Sequence, residues 1–280
     1  MFPVVDGVPI LINEARSLFS ISDFLQRRST FFRPASLARG RISERLPRLG
    51  RNVHSRRNYQ HLAHLLQRQG AAARVLVVGG GIEGTETHTF LTRPWLEPIE
   101  SDVSLGPRTA LICDAHDIPF EDSSLDAVVA QAVLEHVVDP QRCVEEIHRV
   151  LRPDGLVYAE TPFMQQVHGG RYDFNRFTHL GHRRLFRGFE EIASGAVSGP
   201  GTALAWSYQY LLLSFGRRPR TRALLRVFAR LTAFWLKYLD GALVDTPGGL
   251  DAASGYYFLG RRSTSTLSDR DLVALYRGAS

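Results

Sequence analysis

An alternation that starts at Arg74 constrains this chain most. "RVLVV" reads as a buried strand and "GGGIEG" as a glycine turn. Strand-like runs then recur at "PIESDVS" (98–104), "TALICD" (109–114), "LDAVVAQ" (125–131) and "GLVYAET" (155–161). Between the last two lies "PQRCVEEIHRVL" (140–151), a helix opened by Pro140 and stopped before Pro153-Asp154-Gly155. Strands alternating with helices at this spacing predict an α/β fold with a doubly wound, mostly parallel, Rossmann-like sheet and right-handed crossovers. Such sheets bind ligands at the C-terminal strand ends, near the switch point.

The flanks read differently. "PVVDGVPILI" predicts a short extended piece turning at Asp6-Gly7, and residues 16–70 are Arg-rich and broken by Pro34, Gly40, Pro47 and Gly50. Tyr59, Leu62, Leu65 and Leu66 fall at helical spacing before Gly70. "EEIASGAVS" and "SGYYFLGRR" (254–262) read as two late strands, expected at the sheet edges, with a helical insertion over 202–245 between them. The expected organisation is an Arg-rich cap over 1–70, a ligand-binding domain over 71–262 and a tail over 263–280.

Composition narrows the class. The 280 residues are 44% hydrophobic and 22% charged, ordinary for a globular chain. Two cysteines, Cys113 and Cys143, lie in apolar stretches and read as reduced core residues. The N-terminus lacks a secretory pattern and no run is long enough to span a bilayer, so the expected location is cytoplasmic. Residues 1–70 hold twelve arginines against Asp6, Glu14, Asp23 and Glu44, a balance of 12 − 4 = +8 within a formal total of +6. Coding bias and solvated faces explain this most simply, and an anionic partner is the sharper reading. Nothing in the pattern favours nucleic acid.

Gly79, Gly81 and Gly84 fit GxGxxG directly after a strand. Glycines let a backbone approach a ligand closely, and the next helix offers unpaired N–H groups. The spacing alone also fits a dinucleotide fold or a ligand-free turn. Asp102 ends the next strand about 20 residues on, where a carboxylate accepts two ribose hydroxyls. Glu100 points the same way, but Asp102 lies nearer the tip.

"CDAHDIPFEDSSLDAVVAQAVLEHV", followed by "EEIHRVLRPDGLVYAETP", resembles the class I S-adenosylmethionine-dependent methyltransferases, most nearly the broad methyltransferase type 11 group, over roughly residues 74–163. The resemblance implies S-adenosylmethionine as cofactor. It places Asp114 and Ala115 at the adenine, Asp102 at the ribose, and Gly79, Gly81 and Gly84 at the methionine part, with Gln131 counted among the cofactor contacts. Two departures stand out: Val77-Val78 replaces the acidic residue usual before the first glycine, and Glu83 lengthens the turn. The N-terminal "FPVVDGVPILIN" is similar to the tail of a Trm112-like zinc-ribbon segment, but its cysteines are absent, so no metal or partner is carried over.

Methyl transfer is an in-line displacement that needs alignment, and an alcohol acceptor also needs a base. His136, with Glu135 to orient it, is the candidate base, and helix packing is its structural alternative. A metal site from His116, Asp117 and His136 is not expected. "TPFMQQVHGGRYDFNRFTHLGHRRLF" (161–186) follows the fifth strand, where an acceptor pocket would open, and Tyr172 and Arg176 are its candidate catalytic residues. In the insertion, Arg222, Arg226, Arg230 and Lys237 fall on one helix side, and Leu224, Phe228, Leu231, Trp235 and Tyr238 on another. The apolar side is expected to cover the core, with peripheral contact to an anionic membrane as the alternative.

The reading is a methyltransferase acting on a small-molecule, saccharide or lipid-linked acceptor, with O-methylation favoured. An NAD(P)-dependent oxidoreductase and a non-catalytic cofactor-binding partner are its rivals. Acceptor identity and oligomeric state are not legible.

Overall fold

The computed structural model describes residues 2–31, 46–70, 72–81 and 85–279. The chain opens with a hairpin of β1 (Val4–Val5) and β2 (Val8–Pro9). Its turn has φ 51° at Asp6 and 83° at Gly7, the paired positive values that match strand twist and that Asp-Gly tolerates. The short α1 (Ile21–Leu25) and the longer α2 (Ser55–Gln67) follow.

Seven strands form the main sheet: β3 (Ala73–Val78), β4 (Leu96–Asp102), β5 (Leu111–Ile112), β6 (Leu125–Gln131), β7 (Leu151–Pro162), β8 (Phe189–Ser198) and β9 (Gly255–Arg262). Their order is β5-β4-β3-β6-β7-β9-β8. The first five pair in parallel, and β9 runs antiparallel to β7 and β8. The order reverses between β3 and β6, which makes their C-terminal ends the switch point.

Helices on both faces explain the near-continuous apolar runs. Leu76, Val78, Val128 and Ala130 face a core that includes Cys143, Ile147 and Val150 of α4 (Pro140–Val150). Val75, Val77, Ala127 and Val129 face the opposite core, with Tyr59, Leu62 and Leu66 of α2 and with Phe90 and Leu91 of α3 (Thr85–Leu91). Period-two alternation along each strand thus fills both layers. Asp139 caps α4 by accepting from Arg142 N at 3.1 Å.

From β7 the chain passes through a loop and α5 (His179–Leu185) into β8. The sheet corrects the expected place of the last strand. β9 lies between β7 and β8, and its first six residues are all buried; β8, half-buried through its middle, is the edge. A strand apolar on both faces has two covered faces to fill and finds them in the interior. At the opposite edge, Ile10 bridges Ile112 and Leu11 N donates to Ile112 O at 2.8 Å, so the N-terminal segment covers part of β5.

The insertion between β8 and β9 holds α6 (Pro200–Phe215) and α7 (Pro219–Ala233). Wholly buried Asp240 accepts from Gly201 N (2.7 Å), Thr202 N (3.1 Å) and Thr202 Oγ1 (2.6 Å), pinning the start of α6. Here a second expectation is corrected. The stripe of Leu224, Phe228, Leu231, Trp235 and Tyr238 does not cover the core: all five are exposed, Phe228 at 53% and Trp235 at 52%. The buried residues of α7 are Ala229 and Ala233. Small residues let the helix backbone sit close, which leaves the bulky ones facing outward.

Candidate active site

A cavity of about 510 Å³ lies beyond the C-terminal ends of β3 and β6. The glycine turn after β3 forms part of its wall. Gly79 has φ +73°, and a Cβ there would lie 2.5 Å from Val133 Cγ2; a Cβ on Gly81 would lie 2.6 Å from Asp102 Oδ2. The left-handed backbone at Gly79 favours glycine, and a side chain at Gly81 would displace the Asp102 carboxylate. Gly84 and Glu83 lie outside the described residues.

Asp102, at the tip of β4, lines the cavity and accepts from Gly81 N (2.8 Å) and Ser104 N (2.9 Å), one bond to each oxygen. Burial pushes its carboxyl up to about 6, against the backbone hydrogen bonds from Gly81, Ser104 and Val103. The carboxylate keeps acceptor capacity for a further donor. Glu100 also reaches the cavity, but Arg108 holds its carboxylate at 2.6–3.0 Å.

Asp114 and Ala115 line the cavity after β5. Asp114 accepts from Ser17 Oγ (2.6 Å) and from the backbone N (3.1 Å) and Nδ1 (2.5 Å) of His116. Burial raises its pKa, but the bonds from His116 and Ser17 outweigh that and hold the carboxyl below the usual range. Gln131 lines the cavity too. Its amide oxygen accepts from Tyr59 (3.0 Å) and Thr87 (2.7 Å), and its nitrogen donates to Glu160 (2.7 Å), so it braces neighbouring elements. Leu18, Phe19 and Phe31 of the N-terminal segment complete the lining. Ser17 and Asn13 tie that segment to Asp114 and Asp117, and the Thr30 hydroxyl bonds Ser104 at 2.7 Å.

These residues fit a nucleoside-bearing cofactor. The glycine turn brings its backbone close to Val133 and Asp102 at the cavity wall, Asp102 offers carboxylate oxygens to a diol, and Val103, Ala115 and Val133 give apolar contact to a flat base.

His136 reaches the same cavity from the loop after β6. Its Nδ1 lies 2.9 Å from the carbonyl oxygen of Tyr172, which only accepts. In the neutral ring, Nδ1 therefore carries the hydrogen and Nε2 the lone pair. Its ring packs on Phe31 (centroids 4.8 Å apart) and edge-on against His168 (4.9 Å). Gly169 permits this approach, because a Cβ there would lie 2.5 Å from His136 Cε1. Glu135 is wholly buried, and neither of its oxygens accepts a hydrogen bond among the described residues. Its Oε1 stands 3.7 Å from His136 Nε2 and 3.6 Å from His168 Nε2.

Tyr172 and Arg176 are not part of the cavity lining. The Tyr172 ring packs on Phe19 and Phe31 at 5.6 Å each, and its hydroxyl accepts from Arg171. Arg176 grips Asp173 and donates to the carbonyls of Gln165 (2.9 Å), Gln166 (3.1 Å) and Asn175 (2.7 Å). Burial raises the Asp173 pKa, but Arg176 and the backbone bonds outweigh that and hold its carboxyl far below the usual range. Phe174 N and Asn175 N donate to the Glu135 carbonyl at 2.8 and 3.1 Å, which bolts this loop to residue 135. His116 and Asp117 are engaged elsewhere, by Asp114 and by Asn13 with Arg16.

Sequence reasoning missed Glu160. It sits near the tip of β7, lines the cavity and accepts from Tyr158, Gln131, Ser55 and Asn52, while burial pushes its carboxyl up. A lone acid inside the apolar run "LVYAET" was the available signal.

Comparison with known proteins agrees with this geometry. Residues 96–159 match the methyltransferase domain family. An uncharacterized methyltransferase of Mycobacterium tuberculosis is 43% identical over 95 residues, 30% of this chain and 38% of that protein. A demethylmenaquinone methyltransferase of Clavibacter sepedonicus is 46% identical over 44 residues, 16% of this chain and 18% of its own. Both matches span less than half of the relative's length. Phosphoethanolamine N-methyltransferase 2 of Haemonchus contortus, solved with S-adenosyl-L-methionine, is 17% identical, with a TM-score of 0.45 over 73% of this chain and 52% of that one. No helix among the described residues is long and apolar enough to cross a membrane. Residues 96–159 of this chain are thus similar to the methyltransferase domain, and they lie in a doubly wound sheet whose glycine turn faces Asp102.

Proposed function

We propose that this protein methylates an oxygen of a small-molecule, saccharide or lipid-linked acceptor. The observation that carries the reading is one cavity lined both by Gly79, Asp102, Asp114 and Ala115 and by His136. When bound, S-adenosylmethionine supplies an electrophilic methyl carbon, whose bonding pair passes to sulfur as the acceptor oxygen forms the new C–O bond. Asp102 accepts the ribose hydroxyls, Asp114 and Ala115 wall the adenine, and the glycine turn faces the methionine part. His136 Nε2, unprotonated in the neutral ring, takes the acceptor's proton. Tyr172 acts through its carbonyl, which orients His136, and Arg176 acts by fixing the loop that carries His168. Residues 1–70 serve as the cap, 71–262 as the methyltransferase domain and 263–280 as the tail.

Calorimetry tests the cofactor half: S-adenosylhomocysteine should bind and NADH should not. Incubation with methyl-labelled donor and fractionated cell extract tests the rest, with the product's methyl carbon shift reporting attachment to oxygen. NADH binding without S-adenosylhomocysteine binding points to an oxidoreductase. Cofactor binding without label transfer to any fraction points to a non-catalytic partner.

The raised pKa of Asp102 makes binding pH-dependent. Its anion accepts from ribose hydroxyls, so affinity should be flat above about 6 and fall as pH drops through that value, approaching tenfold per unit. Asp114 stays ionised there, because its carboxyl is held low. Titration calorimetry across pH should show the fall in the wild type and a flat profile in Asp102→Asn.

The exposed stripe on α7 and on the 3-10 turn after it (Phe234–Tyr238) favours peripheral contact with an anionic membrane. Residues 200–239 hold Arg217, Arg218, Arg220, Arg222, Arg226, Arg230 and Lys237 and no acidic residue, beside exposed Phe215, Phe228 and Trp235. Liposomes rich in acidic lipid should therefore bind the protein, and salt should release it. Each basic residue near such a surface contributes about 1 kcal/mol, so Arg222→Glu with Arg226→Glu should remove most of the binding. Truncating Phe228 or Trp235 should change folding stability by no more than about 0.5 kcal/mol in a thermal melt, as at other surface sites. A loss several times larger would return the stripe to a packed face.

A further inference from the structure

We infer that Glu135, His136 and His168 form a binding site for a transition-metal dication, of the zinc type, at the edge of the cavity. One donor atom from each residue lies within 4.8 Å of the other two. Oε1 of Glu135 stands 3.7 and 3.6 Å from the two Nε2 atoms. A tetrahedral ion with ligand bonds near 2.0–2.2 Å has donor–donor edges of about 3.4 Å, so small side-chain movements would complete the set.

Three further features point to a cation. Glu135 is wholly buried, yet neither oxygen accepts a hydrogen bond among the described residues, and the two imidazoles are the cationic or metal-ligating groups beside it. Both imidazoles are oriented from behind. His136 Nδ1 meets the Tyr172 carbonyl at 2.9 Å, and His168 Nδ1 has the Gln166 carbonyl at 3.3 Å, Arg176 Nη2 at 3.4 Å and Asp173 Oδ2 at 3.6 Å. The carbonyl behind His136 Nδ1 leaves that ring's Nε2 lone pair facing the carboxylate, the arrangement that supports a metal-bound histidine, and His168 Nε2 faces the same oxygen. Last, Gly169 lets the loop close on His136, so residues 33 positions apart share one site.

Two imidazoles and one carboxylate suit zinc, iron or cobalt better than magnesium, which prefers an all-oxygen shell. Three protein ligands leave coordination positions open, and His136 and His168 both line the cavity. The consequence for catalysis rests on the proposed methyl transfer. A hydroxyl or diol oxygen on the ion would ionise near neutral pH, so the acceptor class narrows to hydroxylated compounds. His136 Nε2 has one lone pair, and with metal bound it is a ligand and not the base.

The test begins with the full chain, stripped with chelator and dialysed against Zn²⁺, Co²⁺ or Mg²⁺. Metal content and calorimetry should give one tight Zn²⁺ site, visible ligand-field absorption with Co²⁺, and weak or no Mg²⁺ uptake. Glu135→Gln and His168→Ala should each weaken Zn²⁺ binding by more than the roughly 10–100-fold that an outer-shell partner costs. His61→Ala with His64→Ala, on the exposed side of α2, should leave it unchanged. Wild-type zinc binding in both Glu135→Gln and His168→Ala, or none in the parent, overturns the site and leaves Glu135 as partner to a protonated histidine. His168, on a loop, keeps the test open if Glu135→Gln fails to fold. S-adenosylhomocysteine affinity, measured with and without chelator, reports separately on the methyltransferase reading.

Discussion

His136→Ala should lower methyl transfer by about 10²–10⁴-fold, the range for losing a positioned acid–base group. S-adenosylhomocysteine affinity should hold, because the glycine turn, Asp102 and Asp114 stay in place. His136 is chosen by geometry: it lines the same cavity as Asp102 and Asp114, and the Tyr172 carbonyl fixes the neutral tautomer with its lone pair on Nε2. The same loss is expected whether Nε2 takes a proton or binds an ion, so chelation of the wild type separates the two. Tyr172→Phe should keep near-wild-type rates, since its backbone carbonyl, not its phenol, orients His136. Steady-state rates with saturating labelled donor decide this. Wild-type turnover in His136→Ala would make the histidine a packing residue.

Asp102→Ala should weaken S-adenosylhomocysteine binding by about 1.5–3 kcal/mol, the scale of hydrogen bonds to a charged group. Loss of the carboxylate removes the acceptor for the ribose and also frees Gly81 N, which Asp102 holds at 2.8 Å. Glu100 is a poor substitute because Arg108 engages both of its oxygens. Calorimetry on Asp102→Ala and Asp102→Asn should show weaker binding in both. Unchanged affinity in Asp102→Ala would move the ribose elsewhere and take the central prop from the cofactor assignment.

The strands were legible in the sequence because they follow from local pattern. β6 has the bounds expected, Leu125–Gln131, and α4 ends one residue short of the expected 140–151. Period and punctuation specify such elements without knowledge of their neighbours. What failed depends on partners distant in sequence. β9 could not be placed inside the sheet from its own residues, although its unbroken apolar run is what an interior strand needs. On α7, periodicity found an apolar side but not which side docks, because close packing on Ala229 and Ala233 decided that. Glu135 was read as a residue to orient His136. His168, on a loop that only Gly169 lets approach, is what turns the pair into a group of three.

The N-terminal segment that carries Leu18, Phe19 and Phe31 to the cavity lining has an energetic consequence. A ligand seated in the cavity touches the sheet and this segment at once. Docking of the segment through Ser17, Thr30 and Leu11 and occupancy of the cavity are then linked equilibria, and each must favour the other by the same factor. Residues 2–31 thus act as part of the ligand's own affinity, and the bound ligand acts in return as a clasp that holds the N-terminal segment against the sheet.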